Sequence, residues 1–146
     1  MIEEIVQCLK AGHKVLIAGN GGLAAESEHF ASELMGKYAF VAYYPCVALT
    51  TNSALITSIS NDMGFENVFS HQIEILGQRG DVFIGMTTSA SKNILKAIEA
   101  AKRKGMVTFL LDRSVLAGKD TAEVQNEAIK LLHTVAYEVK RELNER

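Results

Sequence analysis

Two histidines and their polar neighbours carry the first chemical signal in this chain of 146 residues. His29 and Glu33 stand four apart in a stretch of helical periodicity, so they share one helix face. Gln125 and His133 stand eight apart in a second such stretch, about 80° around its circumference. Two histidines and a carboxylate can hold a zinc-like ion or pass protons near neutral pH. Each pair also has a plainer reading: an exposed helical hydrogen bond for His29 and Glu33, and a histidine at the edge of the core for His133. Nothing in the sequence by itself joins the two helices.

Two loops could receive an anion. Gly19-Asn20-Gly21-Gly22-Leu23 breaks an apolar run sharply, and its glycines let backbone approach a ligand at the start of a helix. It lacks the Gly-Lys-Ser/Thr of a P-loop and the G-x-G-x-x-G spacing, so no nucleotide is implied, and a tight strand-to-helix turn would use the same residues. Thr87-Thr88-Ser89-Ala90-Ser91 sets four hydroxyls where a strand gives way to a helix. One serine would suffice as a cap. Four hydroxyls beside helix-terminal amides suit a phosphate or sugar phosphate without a lysine. Other polar residues read as structural: His13 solvated, His71 in a structural or interface role, and Lys140-Arg141-Glu142 a solvated helix end. Asp62, in a polar turn, caps the next helix or faces the site.

The elements that must position these residues alternate. Residues 14–18, 46–50, 81–87 and 106–111 read as buried strands. Residues 24–37, 54–60, 65–76, 91–104 and 121–143 read as helices, the last capped by Asp120. Strands separated by helix-sized segments predict an α/β fold: a three-layer sandwich, doubly wound in the flavodoxin-like manner, with a mostly parallel sheet of four to five strands flanked by helices. One domain spans residues 1–146. Ligands bind such sheets beyond the carboxyl ends of the strands, here near residues 19–23, 50–53, 87–92 and 112–120.

Composition excludes several other classes. Apolar residues make up 48% and charged residues 22%, with a net charge of -2, which lacks the basic excess that nucleic acid demands. The longest near-apolar run, Phe40 to Leu49, is about half of the roughly 20 residues that span a bilayer. The first four residues are acidic where a secretory signal would be basic. Cys8 and Cys46 lie in unrelated apolar contexts and read as buried thiols of a reducing, cytoplasmic setting rather than a disulfide.

Taken in order, the segments Ala18-Gly19-Asn20-Gly21-Gly22, His29-Phe30-Ala31-Ser32-Glu33-Leu34, Ala48-Leu49-Thr50-Thr51-Asn52, Ser60-Asn61-Asp62-Met63-Gly64-Phe65, Gly80-Asp81-Val82-Phe83-Ile84-Gly85, Ser91-Lys92-Asn93-Ile94 and Asp120-Thr121-Ala122-Glu123-Val124-Gln125 resemble the sugar isomerase (SIS) domain family and, within it, the phosphoheptose isomerases. The resemblance implies an aldose–ketose isomerase converting sedoheptulose 7-phosphate to D-glycero-D-manno-heptose 7-phosphate through an enediol, the first step of bacterial ADP-heptose and lipopolysaccharide core synthesis. It implies one divalent ion, zinc, on His29, Glu33, Gln125 and His133, with Glu33 and His133 as the catalytic acid–base pair. It further implies that Asn20, Gly21, Gly22, Leu23, Asp62 and Gln125 line the sugar, that Thr87, Thr88, Ser89 and Ser91 hold the phosphate, and that the chain forms a homotetramer with sites between subunits.

The chain departs from the family pattern at identifiable places. Leu23 stands where the family has a serine, keeping only the amide. The hydroxyl loop is a residue shorter and carries Ala90 in place of its glycine, so a left-handed backbone there would be strained or the loop re-shaped. Set against the resemblance, the family's helix ahead of Met1 is expected to be absent or truncated, and Asp112 to Asp120 is too short for a fifth strand. Two other functions fit the same scaffold: a non-catalytic protein that binds the replication initiator, and a phosphosugar-sensing domain.

Overall fold

Alternation along the strands decides the layering. The computed structural model describes residues 1–145. In order it forms α1 (Ile2–Lys10), β1 (Val15–Ala18), α2 (Gly22–Met35), β2 (Cys46–Ala48), α3 (Ser53–Met63), a 3-10 turn (Phe65–Asn67), α4 (Ser70–Leu76), β3 (Val82–Met86), α5 (Lys92–Arg103), β4 (Val107–Leu111) and α6 (Thr121–Asn144). Val15 and Ile17 of β1, with Val82, Ile84 and Met86 of β3, join a core with α1, α2 and α6. Leu16 and Ala18, with Phe83, join a second core with α3, α4 and α5. Successive strand residues point to opposite faces, so both faces of the sheet are dry and covered.

The sheet has four strands in the order β2-β1-β3-β4, every pairing parallel. The allowance for a fifth strand is not met among the described residues: after β4 the chain reaches the cap of α6 in nine residues of turns. Asp120 accepts from the Glu123 amide at 2.9 Å while Glu123 accepts from the Lys119 amide at 2.8 Å, a reciprocal cap that fixes where α6 starts. The expected helix over 65–76 is divided. A turn at Val68 and Phe69 parts the 3-10 turn from α4, while Gly64, with a φ of 93°, and Asn67 Nδ2, donating to the Met63 carbonyl at 2.6 Å, close α3 ahead of both. No described helix is long and apolar enough to cross a membrane.

The sequence reading also left out α1, although Ile5, Val6, Cys8 and Leu9 bury one side of it against the first core. Both cysteines are free and buried; burial pushes the Cys8 thiol up to about 11 and the Cys46 thiol up as well, so neither is a ready nucleophile at neutral pH. His13 is not simply solvated. Its Nδ1 lies 3.6 Å from Asp81 Oδ1 at the amino end of β3. Asp81 is fully buried and accepts from the Lys14 amide at 3.1 Å, from Lys14 Nζ at 2.6 Å and from the Gln78 amide at 2.8 Å. It ties the entry to β1 to the entry to β3.

Candidate functional site

Helices α2 and α6 lie side by side on one face of the sheet, brought together by buried stripes. Leu23, Phe30, Ala31 and Leu34 of α2 meet the core that Val124, Ala128, Leu132, Val135, Ala136 and Val139 of α6 enter. The two run parallel, since Gln125 lies at Gly22, His133 at Glu33, and Lys140 at the Glu33 and Gly36 carbonyls. Tertiary packing thus joins the two helices that spacing alone left apart.

His29, Glu33 and His133 converge there, with one ligand atom of each within 4.8 Å of the others. Glu33 Oε1 lies 3.1 Å from His29 Nε2 and 2.5 Å from His133 Nδ1. The two imidazoles meet edge to face at 5.0 Å between centroids. Glu33 is buried, while His29 and His133 keep 50% and 41% of their side chains exposed, leaving an open side toward solvent. Glu33 Oε2 and His133 Nδ1 are buried without a hydrogen-bond partner; the short His133–Glu33 approach lacks the alignment of a hydrogen bond. The partnerless His133 Nδ1, beside Glu33 Oε1 and His29, fits a divalent cation held by the three residues, whose shell with bonds of about 2 Å sets donors roughly 3.3 Å apart. The His29–Glu33 separation matches that edge, and the His133–Glu33 separation is tighter than it.

The fourth expected ligand, Gln125, rests its carboxamide on Gly22. A Cβ on Gly22 would lie 2.5 Å from Gln125 Cδ, so only glycine permits this approach. Gln125 therefore stands between the cluster and the glycine loop, some 12 Å along the α6 axis from His133. Gly21 has a φ of 56°, which turns the loop into α2. Leu23 is not brought to the site: its side chain is buried in the core, and its amide donates to the Asn20 carbonyl at 3.0 Å. Asn20 instead pairs with Asn93.

In the hydroxyl loop, Thr87 is buried and organises its neighbours. Its Oγ1 accepts from the Ser89 amide at 3.3 Å and the Ser91 amide at 3.0 Å, and donates to Ser91 Oγ at 3.2 Å. Ser89 and Ser91 form the rim, with their hydroxyls 3.3 Å apart beside the start of α5. The Thr88 carbonyl accepts from Arg113 Nε at 3.1 Å. Ala90 has a φ of 53°, the left-handed conformation expected of a glycine position. Ala90→Gly should therefore stabilise the fold by about 0.5–1 kcal/mol, the left-handed cost of about 1–2 kcal/mol less the freedom glycine adds to the unfolded chain. Urea denaturation midpoints check this; an unchanged midpoint would mean the loop holds no strain.

Asp62 is exposed in the last turn of α3, where its carboxylate accepts only from Asn61 Nδ2 at 2.9 Å, and it does not cap the following helix. Within one chain it is not part of the cluster.

Three residues near the site escaped the sequence reading. Lys140 is fully buried, not a solvated helix end: its ammonium donates to the Glu33 carbonyl at 2.8 Å and the Gly36 carbonyl at 2.6 Å. Desolvation lowers its pKa, and the neighbouring Glu33 charge works the other way. Tyr38 stacks obliquely on His133 at 6.1 Å, and burial, then the Glu33 charge, raises its phenol. Asn93 is the third. Only its place at the start of a helix was legible. A larger cavity of about 530 Å3, lined in part by Gln7, Cys8, His13 and Val107, opens at the amino ends of the strands, away from all of these groups.

A family model described as "SIS domain" matches residues 1–111. The phosphoheptose isomerase of Campylobacter concisus is 41% identical over 150 residues, covering 92% of this chain and 79% of that protein. That of Clostridium acetobutylicum is 37% identical over 158 residues, covering 98% and 81%. Among solved structures, phosphoheptose isomerase from Neisseria gonorrhoeae superposes with a TM-score of 0.87 at 34% identity, and one from Francisella tularensis with 0.90 at 29%. Each of these matches covers 96% of this chain and 83% of the other.

Proposed function

Because this chain belongs to the SIS domain family and is a sugar phosphate isomerase, we propose that it interconverts sedoheptulose 7-phosphate and D-glycero-D-manno-heptose 7-phosphate. This is a ketose–aldose exchange in the cytoplasm at the start of bacterial ADP-heptose and lipopolysaccharide core synthesis. The observation that carries the reading is the convergence of His29, Glu33 and His133 around a buried, partnerless carboxylate oxygen, in a chain whose relatives are named phosphoheptose isomerases.

Ketose to aldose requires loss of a proton from C1 and gain of one at C2, through a cis-enediol. Glu33 takes the carbon-bound proton on Oε2, the oxygen without a partner, while Oε1 faces the two histidines. In this reading base and ligand duties fall on different oxygens of the same carboxylate. His133 exchanges protons with the sugar oxygens, and Tyr38 walls its ring on one side. A divalent ion, zinc in this reading, held by His29, Glu33 and His133 with Gln125 as a further donor, would polarise the carbonyl and steady enediolate charge. The phosphate sits on the Ser89 and Ser91 hydroxyls and the first amides of α5, in the loop that Thr87 shapes and Thr88 completes. Asn20, Gly21 and Gly22 line the sugar.

Asp62 enters through assembly. Of the eleven residues of α3 only Ile59 is buried, and among residues 53–61 none is charged, so this helix is free to meet another subunit. A homotetramer with sites between subunits would let Asp62 of one copy face the sugar of another. The test of the whole reading is direct. Purified protein given sedoheptulose 7-phosphate should release the aldose 7-phosphate; no turnover with or without added zinc would overturn it.

A further inference from the structure

The strand order makes β1 and β3 the pair at which the chain changes direction. From β1 it proceeds through α2 to β2 on one side, and from β3 through α5 to β4 on the other. The loops leaving these two strands therefore flank one crevice, and they lead into helices on opposite faces of the sheet. The sheet itself aligns β1 with β3 only up to Ala18 opposite Gly85, short of both loops.

Beyond the sheet, two side chains bridge the crevice. Asn20 Nδ2 donates to Asn93 Oδ1 at 2.9 Å, and Asn93 Nδ2 donates to Asn20 Oδ1 at 2.9 Å. Asn93 lies in the first turn of α5 and is only 3% exposed, whereas Asn20 is half-buried. A reciprocal amide pair needs a donor and an acceptor on the same short stem at both ends. Aspartate lacks the donor, serine lacks the reach, and leucine lacks both. Each asparagine uses one N–H and one lone pair in the clasp, which leaves Asn20 a second N–H and a second lone pair for a ligand.

We propose that Asn93 is a positioning residue of the isomerase site, clasping Asn20 so that the glycine loop at the sugar keeps a fixed distance and angle to the hydroxyl loop at the phosphate. The proposal rests on the isomerase reading above, in which these loops hold two parts of one substrate. A seven-carbon phosphate bound at both loops transmits any slip between them to C1 and C2, and a misplacement of about 1 Å costs on the order of a hundredfold in rate.

The experiment compares Asn93→Leu, Asn93→Asp, Asn20→Leu and the double variant Asn20→Leu/Asn93→Leu, with sedoheptulose 7-phosphate as substrate and zinc binding as a second readout. Asn93→Leu should lower kcat/KM per folded molecule about a hundredfold while zinc stoichiometry stays that of the unmodified protein. Asn93→Asp, which keeps the shape and one of the two bonds, should recover part of that loss. The double variant should be no worse than the more damaged single one, because both singles break the same contact. Asn93→Leu within twofold of the unmodified protein, or single losses that multiply in the double, would overturn the proposal. Should Asn93→Leu fail to fold, full activity in Asn93→Asp overturns it equally. The two failures are distinguishable: an unmodified protein without turnover removes the isomerase reading and this clasp with it, while normal turnover indifferent to Asn93 removes the clasp alone.

Discussion

Glu33→Gln is expected to lower kcat for sugar phosphate isomerisation roughly a thousandfold, the middle of the range for loss of a general base. The substitution keeps volume and one carbonyl oxygen but removes basicity from the Oε2 position, where no protein group takes its place. It should also weaken divalent-ion binding, because a neutral amide replaces the one anionic donor between His29 and His133. The fold should survive. Lys140 grips the Glu33 main-chain carbonyl rather than its carboxylate, so α2 stays docked on α6 when the side chain changes. Steady-state kinetics together with circular dichroism separates these effects. Activity within tenfold of the unmodified protein would remove Glu33 from the proposed chemistry.

Asp81→Ala should produce the largest loss of stability, about 3 kcal/mol, or roughly 10 °C in Tm for a chain of this size. Its carboxylate accepts from two backbone amides and one ammonium, all at the amino ends of β1 and β3. Removing it leaves those donors without their acceptor in a buried setting. Lys14 is 24% exposed and can turn its ammonium to water, which keeps the cost at the lower end for a buried pair. Asp81→Asn should fall between, since the amide retains one acceptor but turns a donor toward the others. Thermal melts of the two variants check the order. Because Asp81 lies at the end of the sheet opposite the ligand loops, kcat per folded molecule should stay unchanged.

The strands were legible because each is a short apolar run bounded by glycine or turn residues, and the parallel sheet followed from their spacing. Helix α1 was equally readable in principle: Ile2, Ile5, Val6 and Leu9 repeat at helical spacing. The division of the helix over 65–76 was harder to read, since the turn at Val68 and Phe69 has no glycine or proline to mark it. At the site, local spacing revealed the His29–Glu33 pair, but His133 needed the packing of α6 against α2. Lys140 misled because a charged run near a helix end ordinarily faces water, while its acceptors lie 104 and 107 residues away in sequence. Leu23 likewise reads as a loop residue, yet its apolar side chain follows the core face of α2. A left-handed backbone at Ala90 was the condition for strain there, and its φ of 53° meets that condition.

The central claim is that Glu33 and His133 move a proton between C1 and C2 of a sugar phosphate. Isomerisation of sedoheptulose 7-phosphate in deuterated water, followed by proton NMR, tests it most directly. The account expects aldose 7-phosphate carrying deuterium at C2, with the product lost in Glu33→Gln. Aldose formed with no deuterium at C2, or formed equally well by Glu33→Gln, would contradict it.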